Sequence, residues 1–164
     1  MSYLNTKPLV YGFENGGMKD ELEMIEAYPS RIAAMLLNNE IDLGLVPVAI
    51  IPALKESYII SDFCIGATGP VASVCLFSDV PLASVTEVLV DYQSRTSAAL
   101  LKVLLEHYWK LSPKLTDTNN GYRQDIKGTT AGLVIGDRAL QQRHKSAYIY
   151  DLAETWQLMT GLPF

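Results

Sequence analysis

The chain has 164 residues, 49% of them hydrophobic, enough for one ordinary domain or two small lobes and too apolar for a disordered segment. Thirteen Lys and Arg stand against 18 Asp and Glu, a net charge of −5, with no basic run, so nucleic acid, which is held mainly by phosphate neutralisation, is excluded as a partner. No run reaches the roughly 20 apolar residues of a membrane span, and the first residues lack the charged-then-apolar order of a secretory signal, so a cytoplasmic protein with no membrane partner is expected.

Apolar runs of strand length alternate with helical periodicity, the pattern of an α/β fold with a largely parallel sheet. Residues 8–13 open a helix or turn, with Pro8 in its first turn and Asn5 and Thr6 placed to cap it. Residues 23–28 read as a short strand. Ser30 is the expected N-cap of a helix whose Ile32, Met35 and Leu36 form one apolar stripe, stopped by Asn38-Asn39. Residues 41–46 read as a buried strand closed by Pro47, and residues 48–54 as a helical turn interrupted by Pro52.

Residues 59–65 and 71–78 read as strands around a turn at 66–70. A second set follows Pro81: a strand at 85–90, a long amphipathic helix at 94–109, a loop at 116–128 carrying Asn119-Asn120-Gly121, and a strand at 132–135. A short helix at 139–143, a strand at 147–150 and a closing helix at 152–159 complete the order. The two sets suggest a first lobe at residues 1–77 and a second at 78–164, with a cleft between them.

Cys64 and Cys75 lie in apolar surroundings without metal or redox spacing, and both are expected as buried thiols. His107, within the amphipathic helix, and His144, in Arg143-His144-Lys145, read as structural or solvated. There is no glycine-rich phosphate loop, metal cluster or triad spacing.

Ligands in open α/β sheets sit where strands end and helices begin, and three such junctions are unusually polar. Ser2-Tyr3-Leu4-Asn5-Thr6-Lys7-Pro8 places Asn5 and Thr6 beside the free amides of a helix start, for capping or for a ligand. In Asp91-Tyr92-Gln93-Ser94-Arg95-Thr96-Ser97 the hydroxyls of Ser94, Thr96 and Ser97, the guanidinium of Arg95 and the positive helix end all favour an anion, with a plain N-cap as the other reading. Gly69-Pro70-Val71-Ala72-Ser73 delivers Ser73, which lacks the G-x-S-x-G elbow and so reads as a hydrogen-bonding group; Gly136-Asp137 follows a second-lobe strand, where Asp137 is either a ligand contact or a cap.

Six segments occur in an order that resembles the chorismate dehydratases of the futalosine route to menaquinone. They are Ser2-Tyr3-Leu4-Asn5-Thr6-Lys7-Pro8-Leu9, Asp42-Leu43-Gly44-Leu45-Val46-Pro47, Gly69-Pro70-Val71-Ala72-Ser73-Val74, Ser94-Arg95-Thr96-Ser97, Ile135-Gly136-Asp137 and Gly161-Leu162-Pro163-Phe164. The sister 1,4-dihydroxy-6-naphthoate synthases differ in the first of these. The resemblance implies a periplasmic-binding-protein-like (type II) fold of two α/β lobes with a ligand cleft between them, and a hydro-lyase converting chorismate to 3-(1-carboxyvinyloxy)benzoate and water. It implies no cofactor and no metal.

Carried over by position, Asn5 and Ser73 are the residues implied to face chorismate in catalysis. Tyr3, Thr6, Ser94, Arg95, Thr96, Ser97, Gly136 and Asp137 are the implied substrate contacts. A non-catalytic solute-binding protein of the same fold is the alternative. Relatives of this kind carry a strand before the first motif and a return segment after the last, so an incomplete first lobe, self-association through its uncovered edges and reduced activity are expected.

Overall fold

The computed structural model describes residues 4–164, and the chain divides into two compact units, Met1–Ile65 and Gly66–Phe164. The division falls before the boundary expected after Phe77, because the strand at Val74–Ser78 is hydrogen-bonded on both sides within the second unit.

In the first unit, helix α1 spans Lys7–Asn15 behind a 3-10 turn at Leu4–Thr6, with a proline in its first turn. Thr6 holds the N-cap position at φ −85°, ψ −22°, helical geometry rather than the extended geometry from which a hydroxyl caps. Helix α2 spans Pro29–Leu37 and buries Ile32, Ala33 and Met35. Its N-cap is Tyr28, not Ser30, because Pro29 takes the first helical position, where its missing N–H costs nothing.

The expected stop is a Schellman turn. Asn39 enters the left-handed region at φ 56°, its N–H bonds to the Leu36 carbonyl at 3.2 Å, and the Glu40 N–H reaches back to Met35 at 2.8 Å. A 3-10 helix at Val48–Ala53 contains Pro52, as expected.

The strands expected at 23–28, 41–46 and 59–65 do not form: among the described residues of this unit no ladder is present. An apolar run becomes a strand only by pairing, and these runs find other surroundings. Residues 41–46 lie close to α2, where a Cβ on Gly44 would come within 3.0 Å of the Ile32 side chain. Ile59, Ile60 and Phe63 are exposed.

The second unit is an α/β layer structure. Strands β1 (Val74–Ser78), β2 (Glu87–Val90), β3 (Lys114–Asp117), β4 (Thr130–Ile135) and β5 (Tyr148–Asp151) form one sheet in the order β3-β2-β4-β1-β5. It is mixed rather than largely parallel: β2 runs parallel to β3 and β4, whereas β1 runs antiparallel to β4 and β5. Side chains alternate between the faces with the strand period of two. Leu76, Val88, Val90, Ala131 and Leu133 face one core with Leu101, Leu104, Leu105 and Leu152. Cys75, Phe77, Leu89 and Val134 face the other with Tyr122, Ile126 and Ala139.

Helices α3 (Arg95–Val103, continued by a π-helical turn at Leu104–Trp109) and α5 (Leu152–Thr160) cover the first face. The short α4 (Asp137–Gln142) and a 3-10 turn at Tyr122–Asp125 contribute to the second. Residues 116–128 are therefore not all loop, since the end of β3 and the Tyr122 turn fall within them. The last residue is tied back to the first part of the unit: Phe164 and Ala67 exchange two backbone hydrogen bonds of 2.8 and 2.6 Å. Among the described residues no helix is long and apolar enough to cross a membrane.

Candidate functional site

Strand directions bring the second unit's polar junctions to one edge of its sheet. Parallel β2, β3 and β4 end together, β5 runs with them, and antiparallel β1 begins where they end: Val90 is paired with Asp117, Val74 with Ile135, and Cys75 with Asp151. Helices α3, α4 and α5 all start from this edge. This is where an open α/β sheet binds ligands, with unpaired helix N–H groups facing outward.

Ser94 caps α3 through its side chain, accepting from the Ser97 N–H at 3.1 Å, and the two hydroxyls lie 2.8 Å apart. The plain capping reading is thus realised for Ser94. Arg95 is exposed. Thr96 differs: its Oγ1 is buried and has no hydrogen-bond partner among the described residues. A buried hydroxyl without a partner costs free energy. Beside these residues a hollow of about 280 Å³ is lined by Asp91, Tyr92, Ser94, Arg95, Ala98 and Thr118, among others.

Ser73 and Gly136 meet directly, the Gly136 N–H donating to the Ser73 carbonyl at 2.7 Å. Gly136 has φ 65° and ψ −152°, a conformation open essentially only to glycine. Gly136, rather than Asp137, is the N-cap of α4; Asp137 is exposed in the first turn, where its charge complements the helix dipole without capping. Asn5 and Thr6 lie in the 3-10 turn of the first unit, with Asn5 exposed, and Tyr3 falls outside the described residues.

The structure adds residues that sequence reading left out. Asp91 is buried at the end of β2, and Arg138 Nη2 donates to its Oδ1 at 2.9 Å and Oδ2 at 2.8 Å. The same nitrogen reaches Gln93 Oε1 at 2.8 Å, and the guanidinium lies over the Tyr92 ring at 5.3 Å. Asp91 also accepts from the backbone of Gln93 at 2.9 Å and of Ile135 at 3.2 Å. The Tyr122 hydroxyl stands 2.9 Å from Asp91 Oδ2 and 2.6 Å from the Leu133 carbonyl. Burial and then the Asp91 carboxylate hold that phenol far above its ordinary range, so it remains a donor. Arg138 thereby fastens the loop leading into α3 to the first turn of α4.

Asp151, at the end of β5, caps α5 and also accepts the Ala72 N–H at 2.7 Å. A sequence signal existed for it, since Asp151 stands three residues before Glu154 at a helix start, a capping-box spacing.

Cys75 is a buried thiol, pushed up to about 12 by burial first and then by Asp151. Cys64 corrects the other half of the expectation, being exposed on a segment that did not form a buried strand. His107 and His144 are both exposed, His107 at the end of the α3 helix remote from its capped start. Among the described residues no group of three or more His, Cys, Asp or Glu could hold a metal ion.

A sequence family described as menaquinone biosynthesis matches residues 1–164. The chain is similar to the chorismate dehydratase of Thermus thermophilus, 27% identical over 180 aligned residues. That alignment takes in 99% of this chain and 64% of the relative, so the chain spans just under two thirds of that protein's length.

Proposed function

Because the chain belongs to the menaquinone-biosynthesis family, we propose that it dehydrates chorismate to 3-(1-carboxyvinyloxy)benzoate, the hydro-lyase activity named for its relative. Supporting this are the shared sheet edge and, above all, the α3 start, where Ser94 and Arg95 line a hollow of about 280 Å³. Chorismate carries two carboxylates and a hydroxyl, all hydrogen-bond acceptors. A carboxylate at the α3 start would take the Thr96 hydroxyl, the Arg95 fork and free helix N–H groups, the charge and donor match expected there.

The reaction balances without oxidant or reductant. A ring carbon loses its proton, the electrons of that C–H bond enter the ring as it becomes aromatic, and the C–O bond to the neighbouring hydroxyl breaks. The released proton and hydroxide make water. In this reading the enolpyruvyl carboxylate of the substrate takes the proton, while Asn5 and Ser73 orient ring and hydroxyl so that each bond is aligned to break. Ser94, Arg95, Thr96 and Ser97 hold a carboxylate, and Tyr3, Thr6, Gly136 and Asp137 complete the substrate contacts.

The same proposal includes a periplasmic-binding-protein-like (type II) fold. The test is turnover of chorismate by the purified chain, followed by the appearance of the aromatic product. Asn5→Ala and Ser73→Ala should each lower kcat by about a hundredfold, the usual effect of losing one aligned polar group. Near-normal rates in both, or chorismate binding with no turnover by the unaltered chain, would overturn the proposal.

A further inference from the structure

Resting on the reading of Ser73 above, a second question is what aims that side chain. Its own backbone is held by short bonds on both sides: Ser73 N–H to the Val71 carbonyl at 2.7 Å and Ser73 carbonyl from Gly136 N–H at 2.7 Å. Between them Ala72 sits at φ 59°, in the left-handed region. There the Cβ of an L-residue crowds the backbone, and alanine has no side-chain group to compensate for it. Something outside the turn has to stabilise that conformation.

The structure offers one group for this. Asp151 Oδ2 accepts the Ala72 N–H at 2.7 Å, across 79 positions of sequence, while its Oδ1 accepts from Ala153 N at 3.0 Å and Glu154 N at 3.2 Å at the start of α5. The carboxylate is buried at 8% exposure, and the helix cap fixes its orientation. Weaker contacts surround the same turn: Arg143 Nη1 lies 3.5 Å from the Ala72 carbonyl and 3.7 Å from Cys75 Sγ, and that sulfur lies 3.7 Å from Asp151 Oδ2. We propose that Asp151 is a positioning residue of the site, one oxygen tied to α5 and the other clamping Ala72 so that the neighbouring Ser73 hydroxyl is presented at the sheet edge.

Asp151→Ser tests this, because serine ranks with aspartate as an N-cap and keeps α5 capped, while its single short hydroxyl leaves Ala72 unclamped. The expected result is a melting temperature close to that of the unaltered protein, faster hydrogen exchange at the Ala72 amide, and a kcat for chorismate about tenfold lower with KM changed less than about twofold. Adding Ala72→Gly should restore most of the lost kcat, since glycine enters the left-handed region without steric cost. Unchanged exchange at Ala72 overturns the inference, as does wild-type kcat in Asp151→Ser when Ser73→Ala is slow, or a loss that Ala72→Gly does not relieve. If instead Ser73→Ala turns over normally, the catalytic reading of Ser73 is what fails, and the exchange measurement alone decides whether the clamp exists.

Discussion

Arg138→Met removes the cation facing Asp91, a carboxylate whose side chain has 0% exposure. Deleting one partner of a buried pair costs about 3–5 kcal/mol, chiefly because the other charge is stranded. Here the stranded carboxylate keeps three donors: Gln93 N at 2.9 Å, Ile135 N at 3.2 Å and the Tyr122 hydroxyl at 2.9 Å. Methionine also replaces much of the arginine stem, so the cost falls to or just below the bottom of that range, about 2–3 kcal/mol. At a urea m-value of about 2 kcal/mol/M this moves the midpoint down by about 1–1.5 M. Tryptophan fluorescence is the assay, since Trp109 and Trp156 both lie in the second unit and report its unfolding.

A second variant shows where the energy comes from. Asp91→Asn combined with Arg138→Met removes both charges and should recover at least about 1 kcal/mol of the loss, because the cost lies in the stranded charge rather than in a lost attraction. A single variant costing under about 0.5 kcal/mol, or a double variant no more stable than the single, would refute the claim that this pair staples the loop before α3 to the start of α4.

Two further substitutions separate competing readings. Ser94→Asp should preserve the α3 cap, whereas Ser94→Ala should lose about 1 kcal/mol; if the α3 start receives a substrate carboxylate, the added negative charge should weaken chorismate binding by about tenfold or more, and unchanged KM would argue for capping alone. The raised Cys75 thiol, at about 12 against an ordinary 9.0, predicts an alkaline limb. Between those values the unfolded thiol loses its proton while the folded one keeps it, so stability falls as pH rises, by up to about 1.4 kcal/mol per unit. Cys75→Ala should flatten that limb, and equal slopes in both proteins would refute the assignment.

The second unit was largely legible because its helices carry period-3.6 stripes and its central strands carry continuous apolar runs, which few other structures accommodate. Strand direction was not: Val74-Cys75-Leu76-Phe77 reads the same whichever way it runs, and its antiparallel setting depends on neighbours more than 50 positions away. Strand β3 was hidden because Lys114-Leu115-Thr116-Asp117 contributes one apolar residue and lies at a sheet edge. The opposite error occurred at residues 41–46 and 59–65, where apolar content implied strands but the described residues of the first unit offer no pairing partner.

The site divided in the same way. Ser94, Arg95, Thr96, Ser97, Gly136 and Asp137 stand at helix starts that sequence alone locates, Ser73 stands just before β1, and all lie along one sheet edge. Asp91 with Arg138, and Asp151 with Ala72, are partnerships across 47 and 79 positions. No local pattern encodes such pairs; they exist only once β2, β4, β1 and β5 lie side by side. The family match over residues 1–164 takes in all six motifs on which the resemblance was based.

The two hydrogen bonds between Ala67 and Phe164 join backbone segments 97 positions apart, so neither can fray without releasing the other. Amide exchange at these two positions should therefore speed up or slow down together.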